Sequence, residues 1–403
     1  MSEFYRPAGS SGKSNKKKAG GSAIVAPNAL AARAVARVIA HPLKCTLPKT
    51  QTTGARAFPE IELVIVEIVT ADGLVGWGEC LGRTGAVAYA AIVEKLLAPL
   101  LIGRDSADIA ALHGEMRRVL SGRSGGMLLE AIAGIDIALW DIAGKRMDLP
   151  VHRLLGGLSR PRVAAYASSI NWTDDEEAAK ETLAALALGF QTIKVKIGKS
   201  VARAKARIAQ LAAVVGDKAQ LFVDANWAYT PEEAAEVALC LHEHGYAWFE
   251  EPIVPEDIDG YRRLRALGVC PLAAGESDFT VWQARELIAE RLVDLIQPDV
   301  ARSGGITETR RIAELAFAHH VGYAPHVGWS GAICVAASLH LASAMPAFRI
   351  FECMVFDNPL RDELTTAPVG DRRSLVDGTL EVPQGPGLGV EVDRKALAKF
   401  RTH

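Results

Sequence analysis

No two of the six cysteines form a CxxC pair; Cys45, Cys80, Cys240, Cys270, Cys334 and Cys353 are scattered along 403 residues. That pattern excludes a disulfide framework and a zinc knuckle, and it fits thiols kept reduced in the cytosol. Neither charge is in surplus. Lys+Arg 45 against Asp+Glu 47 leaves a net charge of −2, so the chain as a whole has no electrostatic footprint for nucleic acid. Apolar runs are short too, and none reaches the roughly 20 residues of a membrane span. Secretion and membrane insertion are not expected, and the expected compartment is the cytoplasm.

The composition, 49% hydrophobic and 23% charged, describes a globular chain with a sizeable core. The length exceeds one typical domain and implies two, or a barrel with an added module. Residues 1–22 stand apart. Lys13, Lys16, Lys17 and Lys18 cluster among Gly and Ser with almost nothing apolar to bury. The segment cannot offset the entropy of ordering, and it lacks the apolar stretch of a signal peptide. A flexible tail or a segment foreign to the natural chain is expected; a nucleic-acid or targeting role stays open, but solvation is the simpler use of four lysines.

Residues 35–157 read as strands followed by helices, an α+β layout. Ile61–Thr70 and Leu74–Glu79 flank Asp72-Gly73, a hairpin signal. Helical spacing follows near Ala86–Leu100, Ser106–Leu120 and Met127–Lys145. From Val163 the rhythm changes. Short apolar strands (Val163–Ser168, Thr192–Ile197, Leu221–Asp224, Ala247–Glu250, Pro271–Glu276, Leu295–Asp299, Gly322–His326 and Arg349–Glu352) alternate with helices over Asp175–Leu188, Ala202–Val215, Pro231–His244, Val281–Glu290, Glu308–His319 and Gly331–Ser343. Eight strands with helices between most of them predict an α/β fold, a parallel (β/α) barrel over residues 163–358. Residues 359–403, with Gly/Pro turns and short strand-like pieces, are expected to pack back on the first module.

The charged residues fall at the strand ends. Strand two ends in Lys194-Val195-Lys196, and Asp224, Glu250, Glu276, Asp299, His326 and Glu352 end the next six. From Asp224 to His326 the steps are 26, 26, 23 and 27 residues, each one β/α unit. Carboxyl ends of barrel strands open onto one face, where barrel active sites lie. Any one of these groups alone would be a cap or a solvated charge; a run of them is costly to bury without a cation or substrate. Asp224, Glu250 and Glu276 are all oxygen donors, which suits Mg²⁺ and disfavours zinc. Glu251 points the other way along its strand and is expected to pair with a neighbouring Lys or Arg.

Lys194 and Lys196 share a strand face, and two adjacent ammonium groups depress each other's pKa, which would make Lys196 a usable base. Asp299 and His326 stand on neighbouring strands, where a carboxylate on one imidazole nitrogen raises the basicity of the other. A lysine base, a His–Asp base and a metal between them suit removal of a proton next to a carboxylate. Gly304-Gly305 could suggest phosphate binding, but a tight loop into the next helix is the plainer use.

These residues resemble the enolase superfamily and, within it, the mandelate racemase/muconate-lactonising family. The likeness is carried by Ala133–Lys145 (AGIDIALWDIAGK), Lys194-Val-Lys196, Val223-Asp-Ala-Asn226, Glu250-Glu-Pro252, Gly275-Glu276, Gln297-Pro-Asp299 and the His326 strand, spread over about Val35 to Val392. The resemblance implies a modified barrel under an α+β capping domain, a bound Mg²⁺ that stabilises an enediolate, and a homo-oligomer. It makes Asp224, Glu250 and Glu276 the metal ligands and Lys196 one acid/base, with Lys194 tuning it and touching the substrate carboxylate. It makes His326, paired with Asp299, the second acid/base. Glu352 would hydrogen-bond the substrate carboxylate, and Asn226 would also meet substrate. Muconate-lactonising members carry lysine where Asp299 stands, which favours the mandelate racemase subgroup.

One enediolate leads either to dehydration or to racemisation. Thr46–Phe58 (TLPKTQTTGARAF) and Gly82–Gly85 are the expected lid loops, and Lys49, Gln51, Thr52, Thr53, Arg56 and Arg83 make that lid polar and cationic. An aryl substrate would want apolar cover, whereas a polar lid fits a polyhydroxylated acid, and Arg56 or Arg83 could take a second carboxylate. A loop that is polar merely because it lies on the surface stays open for each of these residues. The expected function is therefore dehydration of an aldonate or aldarate to a 2-keto-3-deoxy acid, with Lys49, Arg56 and Arg83 binding substrate. The alternative is a racemase or epimerase of a 2-hydroxy acid. A non-catalytic relative is opposed by the intact Lys196, Asp299, His326 and acidic trio.

Overall fold

The computed structural model describes residues 31–53, 56–122, 124–157 and 159–402. The basic tail expected over residues 1–22 lies outside them, as do Gly54 and Ala55 of the expected lid.

Three antiparallel strands come first, β1 (Val35–Thr52), β2 (Ala57–Thr70) and β3 (Val75–Arg83). The β2–β3 turn uses Gly73 at φ 86°, where a side chain would be strained. The β1–β2 hairpin is longer than the sequence pattern predicts. Pairing resumes at Gln51–Phe58 and Thr52–Ala57, so most of Thr46–Phe58 is extended strand rather than loop. The register breaks between Thr46 and Gln51, around Pro48, which has no N–H to give a ladder.

Helices follow at Ala86–Ala91 (α1), Ile109–Arg117 (α2) and Met127–Met147 (α3). Helix α3 lies so close on β3 that a Cβ added at Gly78 would come within 1.8 Å of the Gly134 carbonyl oxygen. Glycines at both positions permit that approach.

The barrel strands are β4 (Arg162–Ile170), β5 (Thr192–Lys196), β6 (Gln220–Asp224), β7 (Trp248–Glu250), β8 (Leu272–Ala274), β9 (Leu295–Ile296), β10 (Gly322–Tyr323) and β11 (Phe351–Met354). They run parallel in the order β10-β9-β8-β7-β6-β5-β4-β11. The curl closes where Tyr323 donates its N–H to the Ala347 carbonyl and accepts from the Arg349 N–H, both at 2.8 Å. Strands β9 and β10 are two residues each, shorter than their apolar runs. Beyond them a single parallel bridge joins Asp299 to His326.

The outer helices are α4 (Asp175–Ala187), α5 (Val201–Val215), α6 (Pro231–Glu243), α7 (Ile258–Leu267), α8 (Val281–Ala289), α9 (Ile306–Ala318) and α10 (Ala332–Ala344). Local caps start most of them: Asp174, Ser200, Asp257 and Thr280 each accept a first-turn N–H, and Thr230 with Glu233 forms a capping box. Helix α7 is the one that periodicity misses. It is short and basic, and only Gly260, Tyr261 and Leu264 are buried.

Helices α9 and α10 begin after Gly305 and Gly331, which have no side chain to cap them. The first module supplies the acceptors. Asp136 on α3 accepts the Thr307 N–H at 2.9 Å and its hydroxyl at 2.6 Å. Glu79 on β3 accepts the N–H groups of Gly331 (2.6 Å) and Cys334 (3.0 Å). Asp141 accepts from the N–H groups of Trp77 and Leu388. These contacts give the AGIDIALWDIAGK stretch its physical use: Asp136 ties the first module to the barrel, and Asp141 ties it to the last segment.

The last segment touches both modules. Strand β12 (Thr379–Glu381) pairs with β4, while the Thr402 N–H donates to the Pro42 carbonyl on β1 and Arg394 reaches Glu67 on β2 at 2.8 Å. Among the described residues no helix is long and apolar enough to cross a membrane, and the six cysteines are buried and unpaired.

Candidate active site

A strand places residues two apart on one face, and that rule builds the site in two layers. Phe222 and Trp248 stack inside the barrel, with Tyr166 edge-on to both. Two residues further along the same strands stand Asp224, Glu250 and Ser168. The aromatic layer closes the barrel from below, and the polar layer above it opens into a cavity of about 250 Å³. That volume suits a small molecule.

Asp224, Glu250 and Glu276 end β6 and β7 and follow β8, and one oxygen of each lies within 4.8 Å of the others. All three are buried. Burial pushes Glu250 up to about 8, with Lys194 pulling the other way. Asp224 and Glu276 lie below the usual carboxylate value. Burial opposes this, but Lys196 and Lys194 outweigh it at Asp224, as His326 and Arg302 do at Glu276. Three converging oxygen donors with no sulfur or nitrogen among them match a hard divalent cation. The Asn226 Oδ1 beside them is buried without a partner, a further acceptor turned toward no protein donor.

Lys196 meets Asp224 and lines the cavity. Lys194 does not line it, although it shares Asp224 with Lys196. Its ammonium is enclosed between Glu250 at 2.5 Å and Glu352 at 2.9 Å, with Asp224 at 3.9 Å. Burial works against its charge, but those carboxylates prevail and hold it well above the ordinary lysine value. A buried ammonium needs such counter-charges.

Across the acidic trio from Lys196, His326 places Nδ1 2.7 Å from Asp299 and Nε2 3.2 Å from Glu276. Burial disfavours its charge, yet Glu276, Glu352 and Asp299 together lift it to about 9. Glu352 accepts from the Ser168 hydroxyl (2.6 Å), Lys194 and the Val327 N–H (2.7 Å). Glu251 differs from its expected role: it accepts from the Gly275 N–H, the Trp227 indole and the Tyr261 hydroxyl rather than from a Lys or Arg.

Arg56 and Arg83 line the cavity, as do Asn226, Gln51, Thr52 and Thr53. Lys49 does not. It points outward to Glu177 (2.5 Å) and Glu181 (2.8 Å) in a surface ion pair, away from the cavity where the sequence reading places it. Nor is the cover wholly polar, because Phe58 and Trp329 also line it, with ring centroids 4.6 Å apart. The mouth is conformationally strained: Arg83, Ser169, Asn226, Trp227 and Trp329 all line it at positive φ, between 43° and 71°.

Sequence reasoning missed Ser168 and Arg302. Ser168 ends the apolar run Val163–Ser168 within β4, so the rule that found the acids would have found it. Arg302 reaches Glu276 at 3.4 Å and Glu130 of α3 at 3.2 Å, a contact across 172 residues that no local pattern announces.

Residues 33–156 match the mandelate racemase / muconate lactonizing enzyme N-terminal domain, and residues 176–396 match the enolase C-terminal domain-like family. A D-galactarolactone cycloisomerase of Agrobacterium fabrum is 36% identical, covering 91% of this chain and 98% of that one. An arabinonate dehydratase of Saccharolobus solfataricus is also 36% identical, over 85% of this chain and 91% of its own. Among solved structures, an enolase superfamily member from Polaromonas sp. JS666 superposes with a TM-score of 0.86 at 32% identity, covering 92% of this chain and 98% of that one. A magnesium-bound racemase from Streptomyces coelicolor A3(2) has a TM-score of 0.83 at 28% identity, covering 91% and 100%.

Proposed function

From the premise that this enzyme belongs to the mandelate racemase/muconate lactonizing enzyme family, we propose that it is a lyase that dehydrates a sugar acid. The observation that carries this reading is the placement of Lys196 and His326 in one cavity, on either side of the Asp224, Glu250 and Glu276 trio. Asp299 on the far nitrogen of His326 fixes that ring, and polar side chains make up much of the remaining wall.

In this reading Lys196 or His326 takes the proton α to the substrate carboxylate. The electron pair it leaves first delocalises into the carboxylate and then forms the double bond as the β-carbon–oxygen bond breaks. The other member of the pair gives a proton to the departing hydroxyl, which leaves as water, and the enol becomes a 2-keto-3-deoxy acid. Asp224, Glu250 and Glu276 would hold a divalent cation, Mg²⁺ in this reading, which supplies positive charge where the carboxylate gains electron density. Asn226 offers its free carbonyl to a substrate hydroxyl.

Two acid/base groups around one α-carbon equally suit a racemase, which would return the proton on the opposite face. The relatives named as dehydratases favour elimination. The deciding experiment incubates the enzyme and Mg²⁺ in D₂O with pooled aldonic, aldaric and 2-hydroxy acids and their lactones. A semicarbazide-reactive keto product supports the lyase. α-Deuterium without a keto product overturns it in favour of the racemase.

A further inference from the structure

Arg207 and Arg361 are buried and hold their terminal nitrogens on backbone carbonyls: Arg207 donates to those of Asn171, Lys196 and Thr173, though its Nε has no partner, and Arg361 to those of Met354 and Phe356 and to Asp362. Arg302 has the carboxylates of Glu130 and Glu276. Arg83 and Arg56, both on the capping side of the cavity, have no such partners.

The Arg83 Nε is buried with no hydrogen-bond partner. Among the described residues its one ion pair is with Glu276, at 3.9 Å, a group already engaged by His326 and Arg302; Glu130 and Asp299 add more distant negative charge. Arg302 adds like charge nearby, so burial and that neighbour together lower the Arg83 pKa. Arg83 also holds φ at 43°, a left-handed conformation for a long side chain at the end of β3. Arg56 lies flat over the Phe58 ring at 4.3 Å, and no ion pair engages it among the described residues. The acids of β2 are taken elsewhere: Glu60 by Lys44 at 2.6 Å, and Glu62 by the N–H groups of Gly85 and Ala86. Arg83 thus reaches the cavity with only a distant carboxylate shared with two other cations, and exposed Arg56 stands at the same rim with no ion pair among the described residues; a part-buried guanidinium such as Arg83 calls for a closer anion.

We propose that the cavity takes a dicarboxylate, with Arg83, assisted by Arg56, binding the carboxylate at the end remote from the reacting carbon. The inference rests on the sugar-acid reading above and narrows it to the aldarates. A guanidinium fork matches a carboxylate with two parallel N–H···O bonds and has no equal match to the hydroxymethyl end of an aldonate.

The test measures kcat/KM for matched pairs of hexarate and hexonate of the same configuration, which differ only in that terminal group. The expected result is a preference for the hexarate of roughly 10²-fold or more, carried mainly by KM. The hexarate-to-hexonate ratio should fall at least tenfold in Arg83→Gln and by a smaller factor in Arg56→Gln. Arg56 is exposed, so its substitution leaves the fold intact and tests the claim even if Arg83→Gln does not fold. Equal or better turnover of the hexonate overturns the dicarboxylate inference and leaves the dehydratase standing. If neither acid loses its α-proton, the dehydratase reading falls and the inference with it.

Discussion

Asp299 places Oδ2 2.7 Å from His326 Nδ1 and uses Oδ1 to accept the Ala301 N–H at 2.8 Å. The carboxylate therefore keeps a proton on Nδ1, while Nε2 faces Glu276 at the cavity wall. Asp299→Asn would keep the contact to Ala301 but offer an N–H to Nδ1, forcing the other tautomer. A fall in kcat of about 10²–10⁴ is expected with the melting temperature nearly unchanged. Steady-state rates and a thermal melt check both halves, and an active Asn variant would show that Asp299 does not orient the ring.

Lys196→Met and His326→Asn should each lower elimination by roughly 10³-fold or more. They should part on proton exchange. The variant that keeps the proton-abstracting group still exchanges the α-proton with D₂O, while the other does not. NMR of recovered substrate reads this directly and assigns base and acid.

Removal of divalent cations should abolish turnover and lower the melting temperature, and Mg²⁺ should restore both. Without a cation, burial of three converging carboxylates works against their charge, and Glu250 rises to about 8. A cation at 100 times its Kd would stabilise the fold by about 2.7 kcal/mol. Glu250→Gln removes one donor, so added Mg²⁺ should no longer raise its melting temperature.

Stability should decline as the pH falls below about 6.5, in part through His340. Its Nδ1 accepts the His152 N–H at 3.3 Å and its Nε2 donates to the Leu388 carbonyl at 3.1 Å, an arrangement that requires a neutral ring. Burial lowers it from 6.5 to about 3. The unfolded chain therefore binds a proton that the folded chain refuses. The stabilisation is complete above 6.5 and is lost as pH falls toward 3, by up to about 1.4 kcal/mol per pH unit. Urea unfolding at pH 7.5 and 5.5 should show a smaller pH difference in His340→Asn, whose amide can supply both an acceptor and a donor.

Much of this was legible because barrel strands obey a period of two and open on one end. That rule located Asp224, Glu250, Glu276, Asp299, His326 and Glu352 without any contact being known. It could not say that Lys194 would be enclosed by two carboxylates from other strands, nor that Lys49 would turn outward to α4. Those outcomes depend on side-chain direction and on partners far along the chain. Helix α7 escaped because its start depends on Asp257 rather than on an apolar stripe. Arg302 escaped because its partner Glu130 belongs to the other module.

The acceptors that Glu79 and Asp136 lend to α10 and α9 bear on how such an enzyme can diversify. A barrel parted from its cap would bare backbone donors at two helix ends, each desolvated and unmatched. Exchanging whole caps between relatives thus means exchanging these anchors too, and a recombinant lacking either would be penalised before it met any substrate. New specificities are more accessible one residue at a time, along the short turn that carries Arg56 and at the end of β3 that carries Arg83, where substitution leaves the anchors in place.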